Sequence, residues 1–260
     1  MKVAFLGDVV GKTGRRAVDS VLPRIRETHG VDLVIANAEN SAGGFGIDRK
    51  GIEQMENAGV QFFTTGNHVW DKAQGIPLLD EKDNIVRPEN YPGGAAGTGF
   101  ALVPGTGGRV AVINVQGRVF MPPLDCPFVC VDRLLERIAP ETRIIIVDFH
   151  AEATSEKIAM GWHLDGRVSL VLGTHTHVPT SDERVLPKGT GYVTDVGMTG
   201  AYDSVLGVKK DAVIKRFFTM QPTRFEVAKG DARCDYIIAT IDDDTGKTKT
   251  IEHLQVKVEE

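Results

Sequence analysis

Val3-Ala4-Phe5-Leu6-Gly7-Asp8 is a short apolar run that stops abruptly at Gly-Asp, and the residues after it decide the fold. Ala17, Val18, Val21, Leu22 and Ile25 recur at helical spacing. Asp32 to Ala38 is a second strand-like run, rich in branched side chains. Asp48 to Gly59 reads as a helix, with Asp48 placed to cap its start and Gly59 its end. Val60 to Thr64 supplies a third strand. This β-α-β-α-β order predicts a sheet with parallel pairs and helices packed against it.

Further along the chain, residues 87–108 are rich in Gly and Pro and read as loop, and Arg109 to Val115 reads as a strand. Pro122, Pro123 and Pro127 interrupt the next stretch. A helix over Val131–Ile138 leads into the strongest strand pattern, Arg143 to Phe149. A helix over Ser155–His163 and a strand over Val168–Leu172 follow. Asp235–Ile241 and Thr248–Val258 flank Asp242-Asp243-Asp244-Thr245-Gly246 and predict a hairpin. No repeat or composition shift divides the chain. The expectation is one α/β (α+β) domain of layered sheets over residues 1–260.

Composition narrows the function. The chain has 260 residues, 30 Lys+Arg against 35 Asp+Glu and a net charge of −5, with 42% apolar and 25% charged residues. Mild acidity argues against a protein that coats nucleic acid, because nonspecific affinity for phosphate backbones needs clustered Lys and Arg. No stable nucleic-acid complex is expected. Cys126, Cys130 and Cys234 are too few, and odd in number, for a disulfide scaffold or a structural zinc site. The first apolar run is too short for a signal-peptide core, and no run approaches the ~20 apolar residues needed to span a bilayer. A cytoplasmic protein without a membrane partner is the expectation.

The chemistry lies where predicted strands end. Gly7-Asp8, Glu39-Asn40, Gly66-Asn67-His68, Asp148-Phe149-His150 and Gly173-Thr174-His175-Thr176-His177 each follow an apolar run. Ligands of sheets with parallel strands bind beyond the strands' carboxyl ends, so five such ends can converge on one point. Carboxylate, imidazole and amide oxygen together suit divalent first-row metals. His175 and His177 face the same way on an extended backbone. In a turn they can grip two neighbouring ions. Glu39 can bridge two cations through its two oxygens. Taken singly, each residue has a plainer reading: Asp8 as a helix cap, Glu39-Asn40 as a turn, His150 as a core histidine, Asp148 as a group that orients a neighbour. Four of seven histidines beside carboxylates or amides at strand ends weigh against reading them singly. His29, His163 and His253 stand outside the clusters.

Gly7-Asp8-Val9-Val10-Gly11-Lys12-Thr13 approaches a phosphate-binding loop. It has three residues rather than four between its first Gly and Gly-Lys-Thr, which disfavours a nucleotide-triphosphate site using Lys12. Gly43-Gly44-Phe45-Gly46 reads as a flexible wall of the site. Ser41, Thr199 and Tyr202 lie in segments that either line a pocket or serve packing.

The order Gly-Asp, Glu-Asn, Gly-Asn-His, a lone His and Gly-Thr-His-Thr-His resembles the calcineurin-like metallophosphoesterases. Phe5-Leu6-Gly7-Asp8-Val9-Val10-Gly11, Asn37-Ala38-Glu39-Asn40-Ser41-Ala42-Gly43-Gly44 and Asp195-Val196-Gly197-Met198-Thr199-Gly200 are similar to the YmdB-like branch of that superfamily. The common Asp-x-His motif has Val10 in place of its His, and the usual bridging Asp is Glu39. The resemblance implies a four-layer α/β/β/α sandwich. It places Asp8, Glu39, Asn40 and His177 on one metal, Glu39, Asn67, His150 and His175 on the other, and makes His68 the acid–base residue. It implies two metal ions, with iron or manganese favoured and zinc compatible. It also implies small phosphodiester substrates such as 2′,3′- and 3′,5′-cyclic nucleotides, and a homo-oligomer. The two ligand anions set against two divalent cations leave a positive surplus that attracts a phosphodiester. The expected reaction is attack on phosphorus by a hydroxide bridging the ions, with His68 protonating the leaving ribose oxygen. The alternative is a nucleotide- or RNA-binding regulator in which hydrolysis is incidental.

Overall fold

A computed structural model describes residues 1–258. The first half runs β1 (Lys2–Leu6), β2 (Asp8–Val9), α1 (Gly11–His29), β3 (Leu33–Asn37), α2 (Arg49–Ala58), β4 (Phe62–Thr64), α3 (Leu78–Glu81), β5 (Phe100–Gly105) and β6 (Gly108–Gln116). Then come α4 (Pro127–Ile138), β7 (Ile144–His150), α5 (Thr154–Leu164), β8 (Leu170–Thr174), β9 (Arg184–Val185), β10 (Gly191–Val193), β11 (Met198–Ala201), α6 (Lys210–Thr219), β12 (Ala232–Ile241) and β13 (Thr248–Lys257).

The strands form two sheets. In the first, the order is β2-β11-β12-β1-β3-β4, with β13 along β12. The pairs β1–β3 and β3–β4 are parallel. In the second, the order is β5-β6-β7-β8-β10-β9, and β6, β7, β8 and β10 run parallel.

Alternation along single strands explains the layering. In β1, Val3 and Phe5 point between the sheets, whereas Ala4 and Leu6 point to α1 and α2. In β7, Ile144 and Ile146 join that inter-sheet core, whereas Ile145 and Val147 pack on Leu134, Ile138 and Met160 of α4 and α5. A period of two therefore places every second residue in a different core, and both faces of each central strand are covered. The result is the α/β/β/α sandwich.

Local signals behave as their chemistry demands. Asp48 Oδ1 accepts from Gly51 N at 2.6 Å and opens α2, which Gly59 closes in the left-handed conformation. The predicted hairpin is β12–β13.

Other readings are corrected. The loop expected over residues 87–108 contains β5. Its Pro104 and Gly105 mask the pattern, and they are tolerated because β5 is an edge strand paired only with β6. The short strands β10 and β11 and helix α6 are not among the elements expected from the sequence. Strands β10 and β11 are only three and four residues long, and the Val213, Ile214, Phe217 and Phe218 repeat of α6 spans a single ten-residue helix. The near-match to a phosphate loop is used otherwise: Asp8 N donates to Gly197 O, Gly11 N donates to Asn40 O, and Lys12 is exposed.

Candidate metal centre

The carboxyl ends of β1, β3 and β4 meet those of β7 and β8 along one edge of the sandwich. Asp8, Glu39, Asn40, Asn67, His150, His175 and His177 all converge there.

One group gathers around His150. Its Nε2 lies 3.0 Å from Glu39 Oε1, 3.0 Å from Asn67 Oδ1 and 3.1 Å from His175 Nδ1. Ligand atoms of Glu39, His150 and His175 lie within 4.8 Å of one another. A second group surrounds His177, whose Nε2 lies 3.2 Å from Asn40 Nδ2 and 3.8 Å from Asp8 Oδ1. Glu39 stands between them, with Oε1 also 3.3 Å from Asn40 Nδ2.

Hydrogen bonds behind the ring atoms fix their orientation. Thr174 Oγ1 donates to Asp148 Oδ1 at 2.6 Å and lies 2.9 Å from His150 Nδ1, so Nε2 is the nitrogen turned inward. His177 Nδ1 lies 3.1 Å from Leu206 O, which turns its Nε2 inward too. His175 Nε2 lies 3.1 Å from Glu152 Oε2, leaving Nδ1 for the centre. Of the two arrangements open for His175 and His177, the structure has the turn: both residues have positive φ, 99° and 63°. That strained turn is clamped by Asp195. Asp195 Oδ2 accepts from Thr176 N at 3.2 Å, from Thr176 Oγ1 at 2.8 Å and from buried Lys157 Nζ at 2.6 Å. Gly66 is required for clearance, because a Cβ there would lie 2.3 Å from the His150 ring and 2.5 Å from Glu39 Oε2.

The electrostatics are those of a cation site. Burial disfavours charge on Asp8, and the anions Glu39, Asp195 and Asp148 add to that, so its carboxyl is raised well above the usual range. Asp8 Oδ1 is buried without a hydrogen-bond partner among the described residues. Burial also opposes charge on Glu39, but His150 and His68 outweigh it and lower its carboxyl to about 2. For His150, burial works downward and Glu39, Asp8 and Asp148 lift it to about 9. Burial and then the His150 charge press His175 down to about 3. Such a set of anions, inward nitrogens and an orphaned carboxylate oxygen fits divalent cations.

His68 stands apart from the ligand atoms. Its backbone N–H donates to Glu39 Oε2 at 2.9 Å, its Nδ1 lies 2.8 Å from Asp71 Oδ2, and its ring packs 4.9 Å from Phe45. It lines a cavity of about 650 Å³ together with Glu39, Asn40, His175 and His177. Gly43 and Gly44 line the same cavity, but Ser41, Thr199 and Tyr202 do not: Thr199 donates to Cys234 Sγ, and Tyr202 donates to Asp235. Sequence reasoning missed Asp71, Glu152, Lys157 and Asp195 as supporting groups. Asp71, three residues beyond His68, was the one with a local signal; the others need the fold to reach the site.

Comparison with known proteins agrees with this architecture. The profile of the YmdB-like protein family matches residues 4–254. A Bacillus subtilis protein described as a 2′,3′-cyclic-nucleotide 2′-phosphodiesterase is 47% identical over 98% of this chain and 97% of its own length. A hypothetical protein from Thermus thermophilus, known from its crystal structure, superposes with a TM-score of 0.94 at 45% identity and covers both chains fully. The crystal structure of a Mycoplasma pneumoniae protein described as a novel phosphatase also gives 0.94, at 35% identity over 99% of this chain and 93% of that one. On a profile spanning nearly its whole length and relatives matched end to end, the chain belongs to the YmdB-like protein family.

Proposed function

We propose that the strand-end cluster holds two divalent cations and that the chain hydrolyses cyclic nucleotides, 2′,3′ or 3′,5′. The chain is an enzyme of the phosphoric diester hydrolase class, a reading supported by its near full-length identity to the Bacillus subtilis phosphodiesterase. The observation that carries the two-cation reading is the position of Glu39. Its Oε1 lies within 3.3 Å of both ligand groups, while Asp8 Oδ1 stays buried and unpartnered beside one of them.

Asp8, Asn40 and His177 would hold one ion, Asn67, His150 and His175 the other, and Glu39 would serve both. Ions bound there would polarise the phosphoryl oxygens and lower the pKa of water toward about 7. The chain's own residues do the rest. Glu39 stays anionic because its carboxyl is held low, and Asp148, through Thr174, keeps His150 Nε2 directed at the centre. His68 stays outside both groups, with Asp71 Oδ2 2.8 Å from Nδ1 orienting the ring. Its Nε2 is left to deliver a proton to the ribose oxygen that leaves phosphorus.

Elemental analysis of Glu39→Ala beside Asp8→Ala tests the assignment. The expected result is loss of both ions in Glu39→Ala and mainly one in Asp8→Ala. Equal metal content in Glu39→Ala and the natural chain would reject the shared role.

A further inference from the structure

Helix α6 is poorly explained by packing alone. Of its ten residues only Val213 is buried, whereas Phe217 and Phe218 are 77% and 87% exposed and Met220, just beyond it, is 84% exposed. Large apolar side chains left together in water generally mark a binding surface.

The segment that carries α6 is nevertheless firmly seated beside the metal centre. Val205 bridges Val208, Val208 bridges Val227, and Ala228 N donates to Gly207 O at 2.8 Å. Val227 sits in a notch that two glycines keep open: a Cβ on Gly44 would lie 2.6 Å from it, and one on Gly11 3.0 Å. Leu206 O holds His177 Nδ1, so the segment is tied directly to a group that faces the metals.

The outcome is one cavity with two chemistries. At one end lie Glu39, Asn40, His175 and His177. At the other lie Val10, Phe45, Leu206, Phe217 and Phe225, with the Arg216 guanidinium 5.2 Å from the centre of the Phe225 ring. A volume of about 650 Å³ is in the range of small-molecule sites and exceeds what a phosphate group alone needs.

We propose that this apolar lobe, built by residues 205–227 together with Phe45, binds the nucleobase of the substrate, so that the chain selects phosphodiesters carrying a flat aromatic group. The proposal rests on the phosphodiesterase reading, because it is the phosphoryl group at the metal end that directs the rest of the substrate into the lobe. Aromatic rings and a guanidinium are the groups on which bases stack, and stacking tolerates different bases because each offers a π-face. The wall therefore favours nucleotides as a class over phosphodiesters without a base, with little choice among bases.

The test uses the full, metal-loaded chain and two variants, Phe217→Ala and Phe225→Ala. Phe217 is exposed, so its truncation leaves the core intact. Turnover is measured on 2′,3′-cyclic AMP and on ethylene glycol cyclic phosphate, which has no base, and binding of 3′-AMP is measured by calorimetry. The expected result is a rise of about tenfold in KM for the cyclic nucleotide and a similar loss in 3′-AMP affinity, as for one lost stacking contact. kcat and the base-free substrate should be unaffected, and Phe217→Tyr should restore affinity. Unchanged 3′-AMP binding in both variants, or equal losses on both substrates, would overturn the proposal. So would a change in sedimentation coefficient without a change in 3′-AMP binding, which would make the apolar face a contact between copies of the chain. If the natural chain turned over neither substrate, the phosphodiesterase reading would fall, and the 3′-AMP measurement would still decide whether the lobe takes a base.

Discussion

The two ends of the cavity are built on opposite principles. At the metal end, Asp8, Glu39 and His150 are at most 1% exposed, and every inward ring is fixed by a second polar contact. At the α6 end, side chains stand in water and the segment is held by backbone bridges and one valine in a glycine notch. The first end suits chemistry that fails when atoms move, since charge stabilisation depends on preorganised groups. The second suits recognition of a flat surface, where contact area matters more than exact position. On the proposed function, rigidity follows the part of the reaction in which bonds change.

This contrast can be broken by mutation, and the metal end should suffer most. Glu39→Ala should abolish turnover, a loss beyond about 10³-fold, because metal polarisation contributes several kcal/mol of transition-state stabilisation. Steady-state assay beside metal analysis checks it. His68→Ala should lose about 10²–10⁴-fold while keeping both ions, the range of a general acid. Full activity with metal retained would remove His68 from the mechanism.

The supporting shell should give smaller effects. Asp195→Ala leaves Lys157 buried without its partner, and urea denaturation should show a loss of about 3–5 kcal/mol. Thr174→Val breaks the link from Asp148 to His150, and metal titration should show about 10–100-fold weaker binding. Changes on the α6 wall should be smallest and confined to substrate affinity.

The same division governs what could be read in advance. Asp8, Glu39, Asn67, His150 and the His175–His177 pair were legible because each ends a strand-like apolar run, and parallel strands deliver their carboxyl ends to one edge. The central strands were legible because β1 and β7 carry unbroken apolar runs. Strand β5 was not, because Pro104 and Gly105 interrupt it at an edge where such interruptions cost little. Lys157 and Asp195 were not, because their pairing is set by α5 packing against the residues after β10, a tertiary fact with no spacing in sequence. Helix α6 was hidden for a related reason. It is a ten-residue helix in which Val213, Ile214, Phe217 and Phe218 repeat at helical spacing, but only Val213 is buried, so its place is set by the segments around it and not by a core-facing stripe.

The most direct measurement is metal content by elemental analysis on chain purified without chelator, paired with turnover of 2′,3′-cyclic AMP before and after chelation. The account predicts two ions per chain, loss of turnover on chelation and its return with Mn²⁺ or Fe²⁺. A chain free of metal that gains no turnover when those ions are supplied would contradict it.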